Sequence, residues 1–247
     1  MEATFKYTAF FKKIFVCRSM LQVKNLTKKF GELEALNNVS FDVKEKECLG
    51  IIGPNGAGKT TIFNILSGFM KPTSGSIKFY GKEIIGKKPH ELVKLGLSRT
   101  FQIIRVFKNI TVLENFSVIV DREEDFLKEM DLWEKRDYLA KDLPQGDLRR
   151  LNIGMALATN PKLLLLDEPF SGLSPKESAE LGTNIEKLKA KNVTIILIEH
   201  QLRELFGLVN RVMVLNYGRL VFEGTPEEVI KDEKVIDVYL GIDHENT

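Results

Sequence analysis

Glycines, a lysine and two threonines occur together at residues 53–61, in a spacing that suits phosphate binding. These residues are Gly53, Pro54, Asn55, Gly56, Ala57, Gly58, Lys59, Thr60 and Thr61. Closely spaced glycines let successive backbone N–H groups point at phosphate oxygens, and a helix that begins here adds a favourable dipole. Lys59 is expected to reach the β- and γ-phosphates, Thr60 to bind Mg²⁺ through its hydroxyl, and Thr61 to donate toward the α-phosphate. The segment is therefore predicted to bind a nucleotide.

The segments on either side of these glycines favour a functional phosphate loop over a chance match. Residues 48–52 are apolar and predict a buried strand, and residues 61–66 predict a helix that ends near Gly68. A phosphate loop of this kind requires a strand before it and a helix after it. The alternative is a glycine-rich turn with no ligand.

Two carboxylates follow an uninterrupted leucine run later in the chain. Residues 163–166 are four leucines, and Asp167 and Glu168 come directly after them. Such a run suits a buried parallel strand, and open α/β sheets bind ligands at the carboxyl ends of such strands. Asp167 is expected to hold the hydration shell of Mg²⁺, and Glu168 to polarise a water for attack on the γ-phosphate. Taken alone, the pair is equally compatible with an ordinary acidic exit from a strand.

Three further features lie at the ends of apolar segments, namely Gln102, the loop at residues 171–175, and His200. Each of them alone is compatible with a surface or structural role. Their order along the chain is more informative, because the segment at residues 143–147 and the acidic strand end lie between Gln102 and His200. An arrangement with all of these parts in this order is hard to obtain by chance.

With these parts in this order, the chain resembles the ATP-binding-cassette ATPases over about residues 20–241. The resemblance implies an α/β fold, a P-loop NTPase cassette. It would contain a mixed, predominantly parallel core sheet, an antiparallel β lobe and a small helical lobe. It also implies ATP hydrolysis that drives transport across a membrane, with ATP and Mg²⁺ as the ligands.

The resemblance also implies roles for residues outside the phosphate loop. Phe30 would stack on adenine, although an aromatic residue at a strand end also suits core packing. Gln102 would sense the γ-phosphate, contribute to the Mg²⁺ site and couple to a membrane subunit. His200 would contact the γ-phosphate, so that Glu168, His200 and Gln102 form the predicted catalytic set.

In such cassettes, a signature loop caps the ATP that a second subunit holds in a head-to-tail dimer. The corresponding residues here are Leu143, Pro144, Gln145, Gly146 and Asp147. Pro144 stands where the family usually has a serine, and proline offers neither a hydroxyl nor a backbone N–H. The opposing ATP is therefore expected to be held less tightly. A helix is expected to begin after the loop, near Leu148.

Four stretches, at residues 29–31, 35–41, 99–102 and 235–241, look like those of an ATPase subunit of branched-chain amino acid importers. Relatives that serve lipopolysaccharide export share parts of this pattern, and soluble cassette ATPases that do not transport are a third alternative. The importer reading implies several partners. They are transmembrane permease subunits, a second ATPase subunit that is either identical or different, and indirectly a solute-binding protein. It places the chain at the cytoplasmic face of the membrane.

Composition and charge narrow the class of protein. The chain has 247 residues, of which 43% are hydrophobic, enough for one domain with a large core. Four basic residues and one acid give residues 1–20 a charge of +3, which leaves −1 for the other 227 residues of a chain with net charge +2. This distribution argues against a nucleic-acid partner. Two cysteines suit a reducing cytosol, and no run of about 18 apolar residues is present.

The predicted organisation is an N-terminal extension at residues 1–19 followed by a single cassette at residues 20–247. Within the cassette, residues 103–158 are expected to form the helical lobe and residues 221–247 a C-terminal tail. The extension is basic and partly apolar, which is compatible with a disordered segment or misassigned start, with membrane contact, or with docking on the cassette. Residues 103–107 are apolar except for Arg105 and suit either a docking surface for the permease or the core.

Overall fold

The computed structural model of the protein describes residues 19–240, so the predictions for residues 1–18 and 241–247 lie outside the described part. The strands are β1 Ser19–Phe30, β2 Leu33–Lys44, β3 Cys48–Ile52, β4 Ser74–Phe79, β5 Lys82–Glu83, β6 Leu97–Arg99, β7 Leu163–Asp167, β8 Thr194–Ile198, β9 Arg211–Asn216 and β10 Arg219–Gly224. The α-helices are α1 Lys59–Leu66, α2 Pro89–Leu95, α3 Val112–Ser117, α4 Glu123–Glu129, α5 Gln145–Ala158, α6 Pro175–Ala190, α7 Leu202–Phe206, α8 Pro226–Lys231 and α9 Glu233–Leu240.

The core sheet has the strand order β10-β9-β3-β8-β7-β6. Every neighbouring pair from β9 to β6 is parallel, and β10 pairs with β9 in the antiparallel sense. All residues of β3, β7 and β8 are buried, because both faces of a parallel sheet are covered. The prediction of a mixed, largely parallel sheet is confirmed, as are the buried strands expected at residues 48–52 and 163–166.

A second, antiparallel sheet has the order β2-β1-β4-β5. Leu21 of β1 pairs with Val43 of β2 on one side and with Phe79 of β4 on the other. These side chains belong to one apolar cluster with Leu49 of β3 and Phe63 of α1. The antiparallel lobe predicted from the early strands is therefore confirmed, and its apolar residues share a core with the parallel sheet and α1.

Helices α3, α4 and α5 lie within the span predicted for the helical lobe. Their apolar side chains, including Phe116, Leu127 and Leu151, join Leu164 of β7 and Leu197 of β8 in a second apolar cluster. Single 3₁₀ turns at Trp133–Lys135 and Ala140–Asp142 complete this region. The helices therefore pack against the core sheet instead of forming a separate core.

Three helices begin with the same local device. Thr111, Ser174 and Thr225 each accept a hydrogen bond from the backbone of a glutamate three residues later, and that glutamate accepts from the capping residue in return. Such reciprocal caps satisfy backbone N–H groups that have no partner inside the helix.

Within residues 19–240, no helix combines the length and the apolar composition that crossing a bilayer requires.

Two helix glycines give a matched test of packing around α5. A Cβ added at Gly154 would lie 2.7 Å from Phe116 Cζ and 2.8 Å from Met130 Cγ, whereas one added at Gly182 of α6 would meet nothing within 4 Å. We expect Gly154→Ala to lower the free energy of unfolding by about 1–3 kcal/mol through overpacking. Gly182→Ala should raise it by about 0.5–1 kcal/mol, because alanine favours the helix. Urea denaturation measures both changes, and equal shifts would contradict the close contact at Gly154.

Candidate functional site

The predicted phosphate loop connects the carboxyl end of β3 to the start of α1. Gly53 and Gly58 both have positive φ, at 147° and 102°. A Cβ at Gly53 would lie 2.1 Å from the carbonyl oxygen of Leu215, and one at Gly58 would lie 2.7 Å from that of Ala35. These two positions therefore need glycine for both backbone conformation and space. The loop is packed tightly from behind and presents its other side to an open recess.

Lys59, the first residue of α1, is buried at the base of the loop. Its Nζ donates to the carbonyl oxygens of Gly53 and Pro54, at 2.7 Å and 2.9 Å. Burial lowers the pKa of Lys59, and the nearby carboxylates of Glu168 and Asp167 oppose that effect. The ammonium group is thus held beneath the recess, where a phosphate would give it a stronger, charged partner.

The recess encloses about 160 Å³ and brings together parts that are far apart in sequence. It is lined by residues 55–61 of the phosphate loop, by Glu168 and by His200. Thr60 and Thr61 are among these lining residues. The structure therefore gathers the predicted phosphate loop, one of the two predicted strand-end carboxylates and the predicted histidine around one space.

Glu168 occupies the centre of the predicted catalytic set. Its Oε2 accepts from Nε2 of Gln102 at 2.7 Å, and its Oε1 lies 2.7 Å from Nε2 of His200. Its φ is 47°, and its N–H donates to the carbonyl oxygen of Ile198 at the end of β8. A left-handed conformation is uncommon for a residue with a side chain, and such backbone is often found at functional sites. Gln102 and His200 are thus each in direct contact with Glu168.

Asp167 is buried and bonded to a residue for which the sequence predicted no role. Its Oδ2 accepts from Nη2 of Arg99 at 2.7 Å, and Nη1 of Arg99 also donates to Asn64 and Ser67 near the end of α1. A buried carboxylate needs such a partner. The only sequence signal for Arg99 was a basic residue at the end of an apolar strand.

The oxygen donors at this edge fit a magnesium ion. Hydroxyl and carboxylate oxygens are ligands that Mg²⁺ accepts, and Thr60 and Asp167 supply one of each kind. Gln102 bonds to Glu168 through its amide nitrogen, so its carbonyl oxygen is not used in that contact. The chemical types of these three side chains are therefore compatible with the predicted magnesium site.

Arg149 on α5 is a second connecting residue that sequence reasoning missed. It is buried, and its guanidinium donates to the backbone carbonyls of Gln102 at 2.8 Å and Ser171 at 3.2 Å. Burial lowers the pKa of Arg149, while the carboxylates of Glu199 and Glu168 oppose this. One side chain therefore joins α5, the segment at Gln102 and the loop after β7.

Phe30 is the last residue of β1 and does not line the recess. The residue is 47% exposed, and Nζ of Lys28 lies 4.8 Å from the centre of its ring. This exposure contradicts the alternative that Phe30 packs in the core. The ring remains accessible for stacking.

Of the predicted signature residues, Gln145, Gly146 and Asp147 form the start of α5, and Leu143 and Pro144 precede it. The helix begins at Gln145, three residues earlier than the expected start near Leu148, with Pro144 as its N-cap. Leu143 is buried, whereas Pro144 and Gln145 are exposed. Neither Pro144 nor Gln145 lines the recess, so the exposed part of the signature lies away from the chain's own phosphate loop.

Gly146 and Asp147, in the first turn of α5, already have partners within the chain. The N–H of Gly146 donates to Oε1 of Glu177 at 3.0 Å. Asp147 is buried and forms ion pairs with Lys135 and Arg150. Asp147 is therefore a structural residue of this lobe, while Gly146 would have to release Glu177 to donate to another group.

In the segment after Gln102, some apolar residues are exposed, as a docking surface requires, and another packs in the core. Ile103 is 81% exposed and Phe107 is 53% exposed, whereas Val106 packs against the core. The guanidinium of Arg105 lies 4.0 Å from the ring centre of Phe101. Two exposed apolar residues thus follow Gln102 within five positions of the chain.

Sequence profiles and curated proteins agree on the family. The family described as ABC transporter matches residues 36–171, and the family described as branched-chain amino acid ATP-binding cassette transporter matches residues 219–245. The chain is 39% identical to the high-affinity branched-chain amino acid transport ATP-binding protein LivG of Salmonella typhimurium. That match extends over 249 residues and covers 90% of this chain and 98% of LivG.

Solved structures show the same relationship. The ADP conformation of MJ1267, an ATP-binding cassette of an ABC transporter, matches with a TM-score of 0.84 and 33% identity, over 90% of this chain and 99% of that one. A dimeric post-hydrolysis state of the ATP-binding cassette MJ0796, bound to ADP and Pi, matches with a TM-score of 0.74 and 27% identity, over 84% and 99%.

The fold and these matches define the chain as a nucleotide-binding cassette with ATPase activity. The chain belongs to the ATP-binding subunits of ABC transporters. The predicted family, fold class and enzyme class are therefore confirmed.

Lys59→Ala tests the phosphate loop directly. The variant removes the buried cation but leaves the backbone amides, and hydrogen bonds to charged groups contribute about 1.5–3 kcal/mol. We therefore expect ATP affinity to fall by roughly 10-fold to 100-fold. Equilibrium titration with labelled ATP measures this, with Lys78→Ala on the exposed face of β4 as the control. Equal affinity of the folded variants would show that Lys59 does not bind phosphate.

Proposed function

We propose that this chain is the ATP-hydrolysing subunit of a branched-chain amino acid importer, located at the cytoplasmic face of the membrane. The observation that carries the hydrolytic part is the placement of Glu168 between Gln102 and His200 at the phosphate loop. The substrate class is supported by the tail match at residues 219–245 and by the similarity to LivG.

Nucleotide binding is assigned to residues 53–61 and Phe30. Backbone N–H groups of the loop and the ammonium of Lys59 would hold the phosphates, and the exposed ring of Phe30 would stack on adenine. Mg²⁺, held through Thr60, Asp167 and Gln102, would neutralise phosphate charge when bound. Arg99 keeps one oxygen of Asp167 occupied, which fixes the direction of the other.

Hydrolysis is assigned to Glu168 as the general base. Both of its carboxylate oxygens are already engaged, one by Gln102 and one by His200. Each of these oxygens can accept a further hydrogen bond, so Gln102 and His200 orient the carboxylate and still leave it able to accept a proton from water. A γ-phosphate would place the attacking water within reach of this carboxylate.

Coupling to transport is assigned to the segment around Gln102. Ile103 and Phe107 follow this residue in the chain and are exposed, and exposed apolar side chains suit contact with a permease subunit. Arg149 bonds to the backbone of Gln102, so a shift of Gln102 would be passed to α5. A solute-binding protein would act indirectly, through the permease.

A second cassette completes the proposed assembly. The dimeric relative bound to ADP and Pi supports pairing of two cassettes. The exposed start of α5 would meet the ATP of the partner, with Pro144 weakening that contact. We therefore favour a partner cassette of different sequence with a fuller signature.

Glu168→Gln tests both hydrolysis and transport. Glutamine keeps the size of the side chain and can still bond to its neighbours, but it cannot accept a proton. We expect ATP turnover to fall by about 100-fold or more with ATP affinity unchanged. In cells that lack the gene for this protein, expression of the wild-type protein should restore uptake of labelled leucine, and expression of the variant should not. Near-normal turnover of the variant would contradict the catalytic role of Glu168. If the wild-type protein failed to restore leucine uptake in the deletion cells, the proposed substrate class would be contradicted.

Pro144→Ser tests the weakened signature. Serine adds a hydroxyl that can cap α5 and face the partner's ATP, and such caps contribute about 0.5–2 kcal/mol. The isolated chain should then form more homodimer with Mg-ATP and hydrolyse ATP faster, as measured by light scattering and phosphate release. Pro144→Ala is the matched control, because it removes the ring without adding a hydroxyl. Identical behaviour of the serine and alanine variants would refute the idea.

A further inference from the structure

We propose that Glu199 is a positioning residue for ATP hydrolysis, whose buried carboxylate fixes the backbone after β7 to the backbone after β8. This inference rests on the proposed function, since it concerns how Glu168 and His200 are held together. Glu199 would act through the backbone and would not touch the nucleotide.

The carboxylate of Glu199 connects two loops that come from neighbouring strands. Its side chain is buried directly after β8, with 1% of the residue exposed. Oε1 accepts from the N–H of Phe170 at 2.8 Å, and Oε2 accepts from the N–H of His200 at 3.1 Å. The N–H of Gln201 also donates to this carboxylate. Phe170 lies two residues after Glu168, so the backbone beside each catalytic side chain is tied to the same group.

Only a carboxylate matches this arrangement of donors. It presents two oxygens, each able to accept more than one hydrogen bond, to N–H groups on both sides. A glutamine of the same shape would present one oxygen and one NH₂ group, and the NH₂ would face a backbone donor. The bond to Phe170 or the bond to His200 would then be lost, and the contact between Glu168 and His200 would loosen.

Charged groups from three elements surround this carboxylate. Glu168 after β7 disfavours its ionisation, the guanidinium of Arg149 on α5 attracts it, and His200 lies next to it in the chain. Burial, the largest effect, raises the pKa of Glu199 to about 7, although the three N–H donors oppose this. The ionised form is therefore present above pH 7 and is lost as the pH falls through that value.

This pH dependence separates a role in catalysis from a role in folding. Because the folded protein has the higher pKa, ionisation of Glu199 lowers the stability of the wild type as the pH rises from about 5 through 7. The contribution of Glu199 to the stability of the folded protein is therefore present at acidic pH and lost as the pH rises through about 7. If the ionised form of Glu199 positions the site, ATP turnover should rise over the same pH range in which stability falls.

The experiment uses the full chain and compares Glu199→Gln with Glu204→Gln, a matched substitution on α7. For Glu199→Gln, we expect kcat at pH 8 to fall by about 10-fold to 100-fold with ATP affinity changed less than about two-fold, as for a misplaced catalytic group. The loss of wild-type activity between pH 8 and pH 6 should disappear. The variant's Tm relative to wild type should rise with pH. Glu199→Asp should recover part of kcat, and Glu204→Gln should resemble wild type.

Amide hydrogen exchange gives a readout that does not require turnover. At pH 8, the amides of Phe170 and His200 should exchange faster in Glu199→Gln than in wild type, and an unchanged rate would overturn the proposal. Near-wild-type kcat would also overturn it, as would a parallel loss of kcat and Tm at every pH. A wild-type chain that protects both amides yet hydrolyses no ATP would contradict the proposed function while leaving the backbone contact of Glu199 established.

Discussion

Parallel pairing of β3, β8 and β7 is the constraint on which the site depends. Ile198 of β8 pairs with Ile51 of β3 on one side and with Asp167 of β7 on the other. Since the strands run in the same direction, the phosphate loop, the acidic pair and the histidine all emerge at one edge of the sheet. Neighbouring strands lie about 4.8 Å apart, so side chains that follow them can bond directly.

Charged groups inside this edge make the arrangement specific. Asp167, Arg149 and Glu199 are buried and the side chain of Arg99 is only 5% exposed, and each is bonded to a group from another element. An unpaired buried charge costs several kcal/mol, so these bonds are satisfied together in one packing of the strand ends and α5. We infer that the same bonds transmit a change at Gln102 to the start of α5.

The start of α5 differs from the phosphate loop in how its polar groups are used. The phosphate loop faces an open recess, whereas the N–H of Gly146 is held by Glu177 within the chain. An anion from another subunit would have to replace this carboxylate. The backbone donor of the signature region therefore already has an acceptor within the single chain. Such a surface suits phosphate binding only when a partner subunit supplies the phosphate.

Local sequence determined the elements that carry chemistry. A glycine-rich segment between an apolar run and a helix, and a leucine run ending in two carboxylates, each depend on neighbouring residues alone, and the structure has both elements as predicted. The family followed from the order of these parts. The start of α5 was misplaced by three residues, because a proline N-cap offers no side-chain signal for the beginning of a helix.

Tertiary structure decided which residues support that chemistry. Arg99 meets Asp167 across 68 positions, Arg149 meets Gln102 across 47, and Glu199 meets Phe170 across 29. No local pattern distinguishes these three from ordinary charged residues near strand or helix ends. Their roles follow from burial, which requires a partner for each charge, and only the packing of the strands and α5 determines which partner is within reach.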